Sequence, residues 1–226
     1  MNKIMIAILL LVACLLTPSL AVAEESAPEY TLDGLELVDK NRRGEIYAVP
    51  DLDWTEYSEI ILDRPTVSFR KYWQRDQNRN RTTRVNTEDM ERIKSELADL
   101  FEEIFTEELT TNGGYTVAEG SGGNVMRITP HIVDLDVSAP DIRQTNMTRN
   151  YTEQAGEMTL KLAIFDSVTG DLVATLRNRQ AAPRRGYMQW TTSASNKAEA
   201  RLMLQKWAKG LVERLDEARA MSSDEG

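Results

Sequence analysis

Residues 157–180, EMTLKLAIFDSVTGDLVATLRNRQ, constrain the fold more than any other stretch. Met158, Leu160, Leu162 and Ile164 alternate with Glu157, Thr159 and Lys161, the period-two pattern of a strand buried on one face. The run Asp166-Ser167-Val168-Thr169-Gly170-Asp171 supplies turn formers and a glycine free to take positive φ. Leu172, Ala174 and Leu176 then resume the alternation. This predicts a β-hairpin at the centre of a sheet.

The rest of the chain reads as elements that could complete that sheet. Trp54 to Phe69 carries Tyr57, Ile60, Ile61, Leu62, Val67 and Phe69 around Asp63-Arg64-Pro65. Proline lacks the ladder donor, so this is an edge strand or one broken by a bulge. A helix begins at Asn86 or Thr87, carries Glu88, Asp89 and Glu91 at the positive end of its dipole, and stops at Asn112-Gly113-Gly114. Its apolar face is Met90, Ile93, Leu97, Leu100, Phe101, Ile104 and Leu109, and its acidic face is solvated. Tyr115 to Ala118 is a short strand and Glu119 to Gly123 a turn, without the lysine and strand-to-helix setting of a phosphate loop.

Asn124 to Val137 is a long strand whose alternation changes phase, which requires a bulge or kink near Pro130 to Val133. The last helix starts at Ser195 or Asn196 and buries Ala200, Leu204, Trp207, Leu211, Leu215 and Ala218. Gly210 in its interior suggests close approach to the sheet, and Met221 to Gly226 should fray. Two amphipathic helices on one face of a mostly antiparallel sheet of about five strands make an α+β two-layer sandwich. A crossover through the first helix would make part of the sheet parallel.

The opening MNKIMIAILLLVACLLTPSLAVAEES reads as a secretory signal over residues 1–23, cleaved after Ala23. Leu11-Val12-Ala13-Cys14 is a rival processing site at which Cys14 would be acylated and tie the protein to a membrane. Residues 24–53 are polar and read as a tether, with a short ordered piece near Tyr47-Ala48-Val49. The domain proper is then 54–220, with 221–226 a tail.

Cys14 is the only cysteine and His131 the only histidine. Those counts remove most zinc sites, every Ser-His-Asp triad and every Cys-His nucleophile pair. His131 is expected to be structural, and no cofactor is expected. A formal charge of −9 repels nucleic acid. Against that acidity, residues 70–84 (RKYWQRDQNRNRTTR) hold six basic residues and one acid, and residues 177–190 (RNRQAAPRRGYMQW) repeat the pattern. If the sheet order sets the two stretches side by side, Arg70, Lys71, Tyr72, Trp73, Arg75, Arg79, Arg81, Arg184, Arg185, Tyr187 and Trp190 would form one positive, aromatic-bearing surface. Asp134, Asp136, Asp141 and Asp166 are the carboxylates from which a hard-cation site or glycosidase pair could be built.

Several of these segments together resemble the bacterial exported family known as domain of unknown function 3313, over roughly Trp54 to Arg219. They are the strand from Ile60 to Val67, the helix ending in Gly113-Gly114-Tyr115, the strand end from Asp134 to Pro140 and the Ala155-Gly156-Glu157 entry to the hairpin. The Asp166-Ser-x-Thr-Gly170 turn and the closing Trp207-Ala208 helix complete the set. The resemblance implies a bacterial envelope protein and favours acylation of Cys14, because members are commonly read as lipoproteins. It implies no activity, cofactor or catalytic residue.

The leading functional expectation is a non-enzymatic domain of the periplasm, alternatively anchored to the outer membrane by Cys14. It would bind an envelope protein or anionic envelope polymer through the basic-aromatic loops and would touch the membrane only through that lipid. A hydrolase using the four aspartates would need them within ~5 to 10 Å of one another in a cleft. A carrier of a small apolar ligand would need a cavity of ~300 Å³ or more between sheet and helices.

Overall fold

The computed structural model describes residues 31, 33–79, 84–137, 150–152, 156–181, 189–191 and 193–224. Along the chain run β1 (Glu36–Asn41), β2 (Gly44–Ala48), a 3-10 turn (Trp54–Glu56), β3 (Glu59–Leu62), β4 (Thr66–Phe69), α1 (Trp73–Asn78) and α2 (Thr87–Thr111). There follow β5 (Thr116–Val117), β6 (Val125–Val137), β7 (Asn150–Thr152), β8 (Gly156–Asp166), β9 (Leu172–Ala181), β10 (Gln189–Thr191) and α3 (Ser193–Asp224). Eight strands form one sheet in the order β1-β2-β9-β8-β6-β3-β5, with β4 also on β6, and β7 and β10 pair separately.

The expected central hairpin is β8–β9, with Asp166 closing its turn. The Asp166 carboxylate accepts from the backbone N–H groups of Val168 (2.9 Å) and Thr169 (2.8 Å), and Gly170 takes φ 75°. Those turn contacts hold the Asp166 carboxyl below the usual carboxylate range. On the other side of β8, β6 pairs antiparallel to it, while β3 and β4 run parallel to β6 and β5 parallel to β3. The sheet is therefore mixed, and the parallel part is reached through α1 and α2.

The phase change in β6 is a bulge, lying at Val133 to Asp136 rather than at Pro130 to Val133. Ile132 and Leu135 face Val67 and Phe69, and Val133 and Asp136 face Thr159 and Glu157, so one extra residue sits on β6 against both neighbours. Asp134 supplies it with φ 54°, which turns Leu135 back into the core.

Three expectations about the edges are corrected. The sheet has eight strands rather than about five, because Pro65 divides one expected strand into β3 and β4 and because residues 36–48, expected within a tether, are the hairpin β1–β2. Strand β2 pairs with β9 from Gly44 opposite Asn178 to Ala48 opposite Ala174. Gly44 is required by that contact, since a Cβ there would lie 1.8 Å from the Arg177 carbonyl oxygen. An edge hairpin buries little, so its polar composition, which looks like a tether, is what an edge needs. The end of the chain is not frayed through Asp224 either. The backbone N–H of Trp54 donates to the Ser222 hydroxyl, which in turn donates to the Leu52 carbonyl, each at 3.2 Å, and these bonds tie down the last turn of α3.

Helices α2 and α3 pack on each other and on one apolar cluster with the sheet. From α2 come Leu97, Leu100, Phe101, Ile104, Phe105 and Leu109; from α3 Leu204, Trp207, Ala208, Leu211 and Leu215; from β6 and β8 Met126, Ile128, Ile132, Met158, Leu160, Leu162 and Ile164. Asn86 caps α2 as the sequence predicts, in a reciprocal pair of bonds with Asp89.

Candidate functional site

The segment after β4 is a built corner, not the solvated connection its composition suggests. Trp73 is buried, stacks on Phe69 with ring centroids 4.1 Å apart, and donates its indole N–H to the Val137 carbonyl at 3.2 Å. Val85 closes over it, held by Asn78 through two hydrogen bonds (2.7 and 3.0 Å) and by Gln74 through a third (3.1 Å). Arg70 reaches Asp136 at 2.5 Å and Asp76 at 2.8 Å. Its hydrogen bond holds the Asp76 carboxyl below the usual range. Trp73 is thus buried in the fold, which corrects its expected place on a binding surface, while Arg70 stays partly exposed and is committed to Asp136 and Asp76.

Between them Tyr72 points out. It opens α1 with φ 64° and ψ 9°, a left-handed conformation that costs a side-chain-bearing residue on the order of 1 kcal/mol, and it is 55% exposed. The Lys71 ammonium lies 4.9 Å and the Arg75 guanidinium 4.3 Å from the centre of its ring. Arg79, also exposed, follows at the end of α1. The result is an aromatic plate with cations on it, next in sequence to a buried tryptophan.

The second basic stretch leaves the sheet at the same end, from the last residues of β9. Strands β8 and β6 separate β9 from β4, roughly 14 Å in all, so the two stretches share an end of the sheet without being neighbours. Arg81, Arg184, Arg185 and Tyr187 lie outside the described residues, as do Cys14 and Ala23. Trp190 falls in β10, opposite Tyr151.

The four carboxylates do not all converge. Asp136 pairs with Arg70 beside Glu157, whereas Asp166 sits in the turn at the far end of β8, nine positions or roughly 30 Å away. Asp134 is the bulge residue, and Asp141 lies outside the described residues. The distance to Asp166 rules out a site built on all four aspartates. His131 hydrogen-bonds through Nδ1 with the Thr66 hydroxyl at 2.7 Å, linking β6 to β4. Among the described residues no cluster of three or more His, Cys, Asp or Glu could hold a metal, and no helix is long and apolar enough to cross a membrane.

The space between sheet and helices that an apolar-ligand carrier would need is present as a groove, at a place the sequence did not indicate. The two helices cover β6 and β8, but β9, β2 and β1 extend beyond α3, and between that flank and the C-terminal half of α3 lies a space of about 570 Å³. Ile46, Ala48, Ile164, Ala174, Leu211 and Leu215 are among its lining residues. A smaller compartment of about 310 Å³ continues it along α3 past Leu176, Trp207 and Gly210. Ile46, Leu176, Leu211 and Arg214 line both. Gly210, expected to mark a close approach to the sheet, instead has open space where a Cβ would go, which corrects that expectation.

A family model described as protein of unknown function (DUF3313) matches residues 27–211. The chain belongs to that family. The DUF3313 match begins before β1 and so takes in the edge hairpin as well as the centre of the sheet. No curated protein matches the chain. Among solved structures, a DUF330 protein of Xanthomonas campestris is similar at 12% identity and a TM-score of 0.45, over 74% of this chain and 89% of that one. The dodecameric PelC of Paraburkholderia phytofirmans matches at 8% identity and 0.35, over 74% and 95%. A candidate lipoprotein of Caulobacter crescentus matches at 11% and 0.35, over 76% and 96%.

Proposed function

We propose that this DUF3313 chain is a non-enzymatic binding domain of the bacterial cell envelope. It is exported by the residues 1–23 signal or anchored through Cys14, and it docks on an anionic envelope protein or polymer through the corner at Tyr72. The observation that carries this reading is the backbone of Tyr72. A left-handed tyrosine held outward beside a buried Trp73 in the chain, with Lys71 and Arg75 on its ring, is strain kept where it serves no packing. Such a plate offers a rigid aromatic contact area rimmed by cations, on a body whose net charge is −9.

The test is capture from envelope extract of the native host by the full mature chain and by a Lys71→Glu, Arg75→Glu, Arg79→Glu variant. All three side chains are exposed, so the variant should unfold at the same temperature as the parent. Loss of capture by the folded variant is expected. Undiminished capture would refute the corner as the docking surface. The mass of the mature N-terminus decides between the two forms of export, a Glu24 start for the free protein and an acylated Cys14 for the anchored one.

A further inference from the structure

We infer that the groove between α3 and the β9–β2–β1 flank is a binding site for one acyl chain of a membrane-derived amphiphile whose head group carries no net negative charge. The shape comes first. The two compartments, about 570 and 310 Å³, adjoin along α3, where Ile46, Leu176, Leu211 and Arg214 line both. The walls of the larger compartment are mostly apolar, as a hydrocarbon chain requires, whereas polar side chains, among them Glu45, Arg177, Asn178, Gln180 and Lys206, make up much of the lining of the smaller one.

Three further observations point to an occupant. Of the large apolar side chains that stand exposed among the described residues, Val38 (61%) and Met221 (68%) lie on opposite lips of this groove, one on β1 and one on α3. Next, Gly210 sits in the interior of a helix, where glycine costs stability, and neither positive φ nor a close neighbour requires it. What its missing side chain does is leave the smaller compartment open. Finally, the polar groups lining the larger compartment are Asp51, Asp53 and Glu217 against Arg214, and that arginine is already bound to Asp39 and Glu217. At the larger compartment an anionic head would meet the Asp51 and Asp53 carboxylates, while a zwitterionic or cationic head would find acceptors for its ammonium. The Arg214–Asp39 pair crosses from α3 to β1 where the compartments join, so it sets how far a chain can run.

The experiment titrates the full mature protein, below micelle-forming concentration, with lysophosphatidylethanolamine and with lysophosphatidylglycerol of equal chain length. The readout is tryptophan fluorescence, since Trp54 and Trp207 stand in the groove walls. Saturable binding of the zwitterionic lipid is expected, with the anionic lipid roughly tenfold weaker at low salt and the gap closing as salt rises. Ala48→Phe, which fills the larger compartment, should weaken binding roughly tenfold or more. Val38→Glu, on an exposed lip where it leaves the core alone, should weaken it as well. Arg214→Ala should shift the preferred chain from dodecyl or tetradecyl towards hexadecyl, a change that mere loosening of the fold would not produce. Non-saturable signal, equal binding of the two lipids at low salt, or binding unaffected by Ala48→Phe and Val38→Glu would each overturn the inference. So would a dimer in light scattering that Val38→Glu dissociates, because the groove would then be a contact between copies of the chain.

Discussion

The centre and the flank of one sheet are treated differently in this molecule. Strands β6 and β8 lie under both helices, and Ile132, Leu160 and Phe101 are buried there to 1% exposure or less. Strands β1, β2 and β9 carry the same sheet past α3, where it meets a groove lined by Ile46, Ala48 and Ala174 and leaves Val38 open to solvent. Covering an apolar face is what stabilises a sheet. The centre is therefore where stability resides, and the flank is where apolar surface is left partly uncovered. The Tyr72 corner repeats the lesson in polar chemistry, with Trp73 used for packing and Tyr72 held outward.

The widest separation between the two regions should appear in truncations. Phe101→Ala in the centre should cost about 3–5 kcal/mol in denaturant unfolding, whereas Val38→Ala on the flank should change stability by no more than about 0.5 kcal/mol. Comparable losses would mean that the flank is covered after all. Gly44→Ala should cost an intermediate ~1–3 kcal/mol by pushing β2 off the Arg177 carbonyl. Hydrogen exchange should then rise over residues 36–48 while β6 and β8 stay protected. Exchange that rises equally everywhere would show centre and flank to be one cooperative unit.

Titration sharpens the comparison, because the shifted groups bracket the centre. The Arg127 hydrogen bond, aided by the Thr129 hydroxyl, holds Asp63 below its ordinary 3.8 and links the β3 end to β6. A lowered carboxyl contributes stability that is present above its unfolded value and is lost as pH falls through the folded one. Asp63→Asn should therefore make acid unfolding less steep. Burial, reinforced by the neighbouring Asp166 carboxylate, pushes Tyr57 up to about 12. Its contribution is complete below the ordinary 10.0 and fades as pH rises through about 12, so Tyr57→Phe should flatten alkaline unfolding. Acid and alkaline limbs unchanged in these variants would remove both groups from the account. A smaller effect belongs to the corner. Tyr72→Gly relieves the left-handed backbone and should leave stability unchanged or raise it by up to about 1 kcal/mol while capture from envelope extract is lost.

How legible each region was follows from the same contrast. The β8–β9 hairpin, α2 with its Asn86 cap and the buried stripe of α3 were readable because one face of each is wholly buried, which forces the alternation or the helical period to be clean. The β6 bulge was legible as a phase change but was placed early, since the sequence shows where the alternation breaks and not that Asp134 carries the left-handed turn. The edge hairpin was not legible. A pairing with β9 through backbone groups leaves no demand on most of its side chains, and Gly44 is set by a carbonyl 133 positions away in sequence. At the corner, composition singled out residues 70–84 but did not sort them. Only the stacking of Trp73 on Phe69 and the pairing of Arg70 with Asp136 decide which side chains turn inward. The groove was hidden for a related reason, as an opening is made by what two elements fail to fill.

Gly210→Ala tests the central division of labour most directly, because one substitution touches both sides of it. Alanine at that helix interior position meets no neighbour and should raise the denaturant midpoint, by about 1 kcal/mol of stability, while the added methyl narrows the groove and weakens binding of the zwitterionic lysolipid. A variant that is more stable and binds lipid as well as the parent would contradict the account, as would one that is less stable.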